Sequence, residues 1–280
     1  MARLAGAMPI FSPGGRRPIK RPRQAGGGGG GGGGPEPGVN PAALFSAGEL
    51  GLWIDPSDDA MFTFKSGTVV ATVSDKSGRG NHMFLDAGSI GVDRLTDEVG
   101  KKYLSFSGGA APNGMLATVN NLPAGAGVNV FLAIMKNSDA TRQNVLSLGD
   151  VSFDQNVFDV RAPGSNGTAG YGFRSIGTGS SGFATVTAGY AAGNKHVISA
   201  TGNISTDTSI LRVGGVQVAS SANDQGGSST YQNNTKKLTI GSVLIGGTPF
   251  LGRIYGAIVR FGTLTAQQIA DTEAWLAGKM

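Results

Sequence analysis

The sequence predicts an all-β, antiparallel sandwich with one C-terminal helix and an extended basic arm in front of it. Three observations lead there. Short runs rich in Val, Ile, Phe and Thr recur between residues 50 and 261, and "APNG", "GSNGTAG", "GTGSSG" and "NDQGGSS" separate them as turns. Glycine supplies 48 of the 280 residues, which suits a chain that reverses direction often. No region alternates strand patterns with long helical ones, so a doubly wound α/β fold is excluded.

The elements follow in order. Residues 1–40 read as an arm plus linker: "RRPIKRPRQ" is stiffened by prolines and self-repelling, and glycines 26–34 form a flexible coil spanning roughly 15–18 Å. Residues 41–280 form the folded domain. Asn40 is placed to cap a short helical turn that begins with Pro41. Strands are expected at 50–54, 68–74, 82–86, 102–107, 114–119, 127–136, 143–149 and 156–161. Further strands are expected at 170–175, 183–188, 194–202, 208–213, 216–220, 236–241 and 252–261. "RVGGVQV" reads as a tight hairpin, because Gly214 and Gly215 allow the positive φ angles of a two-residue loop. The helix covers 265–278, where Thr265 and Gln268 have capping-box spacing and Ile269 and Leu276 share a face that can pack on the sandwich.

Charge is unevenly placed. The formal net charge is +5, yet Arg3, Arg16, Arg17, Lys20, Arg21 and Arg23 all precede residue 35 and no acid accompanies them. The remainder holds seventeen basic and eighteen acidic groups, so the basicity belongs to the arm. A basic arm can bind nucleic acid or an acidic protein groove. The small apolar "MPIF" beside the charges favours docking on a protein through Arg16, Arg17, Lys20, Arg21 and Arg23, and nucleic acid is not the expected partner.

Several chemistries are excluded. Without cysteine there is no disulfide framework, thiolate metal site or cysteine nucleophile. Two histidines in the whole chain make a zinc enzyme a poor fit. Neither a P-loop nor a nucleophile elbow is present, and no apolar run is long enough to span a membrane. The N-terminal residues lack the order of a secretory signal, since their charges follow the apolar part, so export by that route is not expected.

Candidate sites are few. "DKSGRGNH" concentrates Asp75, Gly78, Gly80, Asn81 and His82, and reads as a shaped turn with a ligand or cation role as the alternative. Asp55 and Asp58, with Asp59 beside them and Asp75 further on, are carboxylates that calcium could use, although the spacing is not that of a regular calcium loop. No other cofactor is expected. For stacking on sugars the candidates are Tyr231, Tyr171 and Tyr190, with Tyr231 favoured because "SSTYQNN" reads as a loop; Trp53 lies in an apolar stretch and reads as core.

"GLWIDPSD", "SDKSGRGNH", "KYLSFSG", "LRVGGVQVASS" and "FLGRIYGAIVRFGTLTAQQIADTEAWLA" together resemble a family of tailed-bacteriophage and prophage virion proteins that carry a concanavalin A-like, laminin-G-type jelly-roll domain. The resemblance covers roughly residues 45–278, in order. It departs where "AMFTFKSGTVVATVS" is shorter than the usual segment. It departs again where "FSGGAAPNG" replaces an Asp-rich turn, which removes acids that would favour calcium at that loop. What the resemblance implies is a jelly roll on a virion assembled in the host cytoplasm, a structural protein of tail, baseplate or tail fibre and not an enzyme. Its arm would be held by other virion proteins, its domain would meet host-surface glycans, and a homo-oligomer, by fibre symmetry a trimer, would display it. Capsid decoration without a receptor role and a polysaccharide depolymerase remain the alternatives.

Overall fold

The computed structural model describes residues 40–87, 89, 91–108, 114–118, 125–149, 157–226, 230–231, 237–243 and 248–280. The arm, with Arg16, Arg17, Lys20, Arg21 and Arg23, lies outside the described residues. The first strands are β1 (Gly51–Ile54), β2 (Phe62–Ser66), β3 (Val69–Val73), β4 (Met83–Leu85), β5 (Asp93–Thr96) and β6 (Lys102–Ser107). They are followed by β7 (Leu116–Thr118), β8 (Gly127–Lys136), β9 (Asn144–Gly149), β10 (Val157–Arg161), β11 (Tyr171–Ile176) and β12 (Ser181–Val186). The last are β13 (Lys195–Asn203), β14 (Thr208–Val213), β15 (Val216–Ser221), β16 (Lys237–Ile240) and β17 (Leu251–Phe261), before helix α1 (Ala266–Ala277).

The paired strands run antiparallel in two layers. One layer runs β15, β14, β13, β8, β17, and the far side of β17 is shared by β6 against its first half and β1 against its second. The other layer runs β12, β11, β10, β9, β16, β7, β4, β3, β2. Strand β5 pairs with β6 beyond β17, and a single pair, Val69 with Asp93, links β3 to β5 and joins the layers along one edge. Between them lies the main core, where Val130, Leu132 and Ile134 of β8 belong to the same buried cluster as Phe158, Val160 and Phe173. Phe158 meets Phe261 across this space at 6.2 Å between ring centroids. Each such side chain contributes about 1.5–3 kcal/mol by leaving water.

The apolar run "VFLAIMK" is explained by burial on both faces. Alternate residues of β8, Phe131 and Ala133, point outward into a second core with Trp53, Tyr255, Ile258 and Leu276. Helix α1 and the 3-10 turn Pro41–Phe45 contribute to that second core, and Trp53 packs edge-on against Trp275 at 5.5 Å. A register shift between Ile254 and Gly256 sets Tyr255 on the outer face beside the helix. Gly256 permits the close approach, since a Cβ there would lie 2.7 Å from Leu276 Cδ2. Glu273 anchors α1 from the other side: its carboxylate accepts from Ser199 Oγ on β13 and from Arg212 Nε on β14, the latter at 2.8 Å.

Local signals of the sequence act as expected. Thr265 Oγ1 accepts from the Gln268 amide at 3.1 Å and Gln268 Oε1 accepts from the Thr265 amide at 2.9 Å, which completes the capping box. Asn40 Oδ1 accepts from the Ala42 amide at 3.0 Å. Gly214 and Gly215 join β14 to β15 with φ of +58° and +81°. Strands β2 and β5 were not expected from the sequence. Four of the five β2 residues are exposed, and "DRLT" of β5 is polar and at most half-buried, so neither shows the apolar alternation by which a buried strand is read.

Candidate functional site

The "DKSGRGNH" segment folds as a structural hub. The Asp75 carboxylate accepts from the amides of Trp53 at 3.0 Å, Ser77 at 2.9 Å and Asn81 at 3.0 Å, and from Ser77 Oγ at 2.6 Å. Four donors fill the acceptor sites of an ionised carboxylate. The Asp75 amide donates to His82 Nδ1 at 3.0 Å, and Asn81 Nδ2 donates to the Gly51 carbonyl at 2.6 Å. Gly78 and Gly80 supply φ of +77° and +72°. The turn therefore ties the β3–β4 connection to β1.

Asp55, Asp58 and Asp75 do not form the cation site that their carboxylates suggest. Asp55 accepts from the Ser57 amide at 3.1 Å and from Lys279 Nζ at 2.9 Å, and Asp58 pairs with Lys76 at 2.8 Å. Burial pushes the Asp55 carboxyl up, but Ser57 and Lys279 outweigh it and hold the group below its usual range. Asp59 is paired with Arg94. Protein donors thus occupy each acid, and among the described residues no cluster of acids and histidines that could hold a metal is formed.

Two of the three tyrosines are corrected from sugar contacts to core. Tyr231 is fully buried, with its hydroxyl 2.6 Å from Ser175 Oγ and its ring edge-on to Phe158 at 5.3 Å, so no face is open for stacking. Tyr171 is fully buried as well, and its hydroxyl lies 2.8 Å from His196 Nδ1. Both lie on stretches with polar neighbours in sequence, but their own side chains point between the layers. Tyr190 is half-buried and leans on Tyr171 and His196 at 5.5 and 5.2 Å, which leaves its ring partly covered by protein. Burial lowers the His196 pKa, and the nearby Lys136 charge lowers it further.

A cleft of about 850 Å³ opens at one end of the sandwich, at a place the sequence did not single out. Three stitched segments build it. Asn166 Oδ1 accepts from the Arg142 amide at 2.7 Å and the Ala162 amide donates to the Gln143 carbonyl at 2.9 Å, fastening the β8–β9 loop to the β10–β11 loop. Gln143 Oε1 accepts from the Leu251 amide at 2.9 Å, which brings in the start of β17. The described lining comprises Gly108, Ser138, Thr141, Arg142, Gln143, Arg161, Gly164, Ser165, Asn166, Phe183, Thr248, Pro249 and Leu251. Those residues include two guanidiniums, two amides and several hydroxyls, and no carboxylate.

Arg161 is held from two sides. Its Nε and Nη2 donate to the two Asp159 oxygens, the second at 3.2 Å, and its guanidinium lies over the Phe183 ring at 5.0 Å. Asp159 also accepts from Arg174 Nε at 2.5 Å, so two guanidiniums share one carboxylate. Arg142 is half-buried, and its side chain has no hydrogen bond or ion pair among the described residues. Burial lowers its pKa, and the like charges of Arg161 and Arg174 add to the effect. The only sequence signal for this cleft is the alternation in "FDVRA" and "YGFRS", which sends Asp159, Arg161 and Arg174 to the face opposite Phe158, Val160 and Phe173.

The two-layer antiparallel arrangement defines a jelly-roll sandwich. No protein-family model and no curated protein sequence matches the chain. Among solved structures it is similar to botulinum neurotoxin type C, whose cell entry is described as dependent on interaction with two ganglioside molecules. That match has a TM-score of 0.56 and 9% identity, and it covers 86% of this chain and 53% of that one. It is likewise similar to the botulinum neurotoxin serotype D binding domain, with a TM-score of 0.55, 10% identity, and coverage of 84% and 53%. The chain spans about half the length of these toxin chains. At such identities the likeness establishes the fold alone.

Proposed function

We propose that this chain is a non-catalytic virion protein of a tailed phage, of tail, baseplate or fibre, that binds host-surface glycans in the end cleft. The observation that carries the binding reading is the cleft itself, a polar recess of about 850 Å³ whose loops are fastened to strands by side-chain and backbone hydrogen bonds. That volume falls within the range of small-molecule sites, and fixed guanidinium, amide and hydroxyl groups are what recognition of a hydroxylated ligand requires. The ganglioside dependence of the type C toxin, which shares the fold, supports the same reading by analogy. Catalysis is disfavoured by the lining. Glycoside hydrolysis uses two carboxyl groups, whereas the described lining carries none and the described acid beside it, Asp159, is tied to Arg161 and Arg174.

What supports the virion setting is the ordered set of motifs from Trp53 to Leu276, together with the basic arm, which would anchor the chain to other virion proteins. Display in many copies turns weak sugar contacts into useful avidity. The test is to apply the full chain to an array of bacterial surface polysaccharides while assaying for released reducing ends. Binding without product is the expected result. Product release would overturn the non-catalytic reading, and no binding to any saccharide would overturn glycan recognition. A gold label on the C-terminal helix, imaged on intact particles, should mark the tail; signal spread over the head would replace adsorption with decoration.

A further inference from the structure

The charge of the end cleft narrows its ligand. Arg142, Arg161 and Arg174 stand together with one described carboxylate among them, Asp159, so the described groups leave an excess of two positive charges. Arg174 and Arg161 are both engaged with that acid. Arg161 uses Nε and Nη2 for it, which leaves Nη1, and the residue is 7% exposed with its position set by Asp159 and Phe183. Among the described residues no group bonds the Arg142 guanidinium, which lines the cleft near Arg161, Asp159 and Arg174. A partly desolvated cation among other cations is costly unless an anion compensates it.

We propose that the cleft selects acidic glycans, seating a sugar carboxylate on Arg142 with Arg161 beside it. This rests on the glycan-binding reading above and specifies its ligand class. A guanidinium fork matches a planar carboxylate through two parallel hydrogen bonds, a geometry that a lone hydroxyl does not reproduce. Arg161 is already immobilised by its stack and its ion pair, so little side-chain freedom is lost when the ligand arrives. Gln143 and Asn166 line the same recess, and their amides suit the hydroxyls of the sugar ring.

The test uses the full chain and a panel of immobilised bacterial polysaccharides, each in native form and after chemical reduction of its carboxyl groups. Wild-type protein should prefer the native acidic forms by about tenfold or more, consistent with loss of a charge-assisted pair. Arg142→Gln should cut that preference several-fold. Lys65→Gln, on exposed β2 at the opposite edge of the same layer, should preserve it. The basic arm attracts every polyanion alike in wild type and variants, so the change of preference between wild type and Arg142→Gln reads the cleft and not the arm. Equal binding of native and reduced forms overturns the proposal and leaves the neutral glycan reading standing. So does an unchanged preference in Arg142→Gln. If no saccharide of either kind binds, the glycan reading itself fails, and that outcome is separate from the others.

Discussion

At the Asp75 turn four donors converge on one carboxylate, whereas at the end cleft three guanidiniums gather around one. Both places are polar and partly buried, and both join segments far apart in sequence. They differ in what is left over. The turn uses every acceptor site of Asp75 on the chain itself, so its chemistry is spent in holding β1 to the β3–β4 connection. The cleft leaves Arg142 without a partner among the described residues. Closed hydrogen-bond sets mark stability and open ones mark binding, and substitutions can separate the two.

The largest effect is expected from Asp75→Ala. It would strand the buried amides of Trp53, Ser77 and Asn81, each costing about 1–3 kcal/mol when left unsatisfied. A fall in Tm of about 10 °C or more should follow in thermal unfolding, on the scale of roughly 2–4 °C per kcal/mol for a domain of this size. Glycan binding at a temperature where the variant is folded should be unchanged. Lost binding in a folded Asp75→Ala protein would make the turn part of the site and break the contrast.

Tyr231→Phe sharpens it further. The substitution removes only the hydroxyl bonded to Ser175 and should cost about 1 kcal/mol, with no change in glycan binding. A weaker affinity at full stability would return Tyr231 to the binding surface.

Asp97 is a second closed set, and it makes the contrast visible in pH. Its own desolvation pushes the carboxyl up, but Lys195 and the amides of Lys101 and Val99 prevail and hold it at about 2. In the unfolded chain the group ionises near 3.9. The folded state is therefore favoured by this group above about pH 4, and that contribution is lost as pH falls towards 2. Asp97→Asn should lower Tm at neutral pH and flatten the Tm profile between pH 4 and 2. A profile as steep as that of the wild type would place the acid sensitivity elsewhere.

Much of the frame was legible because it rests on local rules. Gly214 and Gly215, the Thr265–Gln268 box and the apolar runs of β8 and β17 each announce a conformation within a few residues. The exposed strand β2 and the polar β5 give no such sign, since pairing with β3 and β6 fixes them and apolar burial does not. The turn was legible as a turn, and its closure around Asp75 was not, because the Trp53 amide comes from 22 residues away. Tyr231 misled for a related reason. Ser228 to Asn234 look like a solvated loop, yet long-range packing against Phe158 turns that one side chain inward. The cleft was the least legible part. Arg142, Arg161 and Asn166 meet only when two loops and the start of β17 are brought together, and no spacing in the sequence encodes that meeting.

The smallest expected change in stability is also the most telling. Arg142→Gln removes a charge that has no partner among the described residues and stands beside two like charges, so it breaks no hydrogen bond of the fold and relieves some repulsion. Its Tm should stay within about 1–2 °C of the wild type, in line with the ±0.5 kcal/mol typical of substitutions away from packed or paired groups. A group kept for structure would behave like Asp75 and unfold the domain when lost. If Arg142→Gln instead lowers Tm by several degrees, Arg142 is a closed contact of the fold, and the cleft loses the open cation on which its binding role depends. An unchanged Tm together with a reduced preference for acidic glycans would mean that the residue contributes nothing to folding and much to recognition. That is the pattern the contrast between the closed turn and the open cleft predicts.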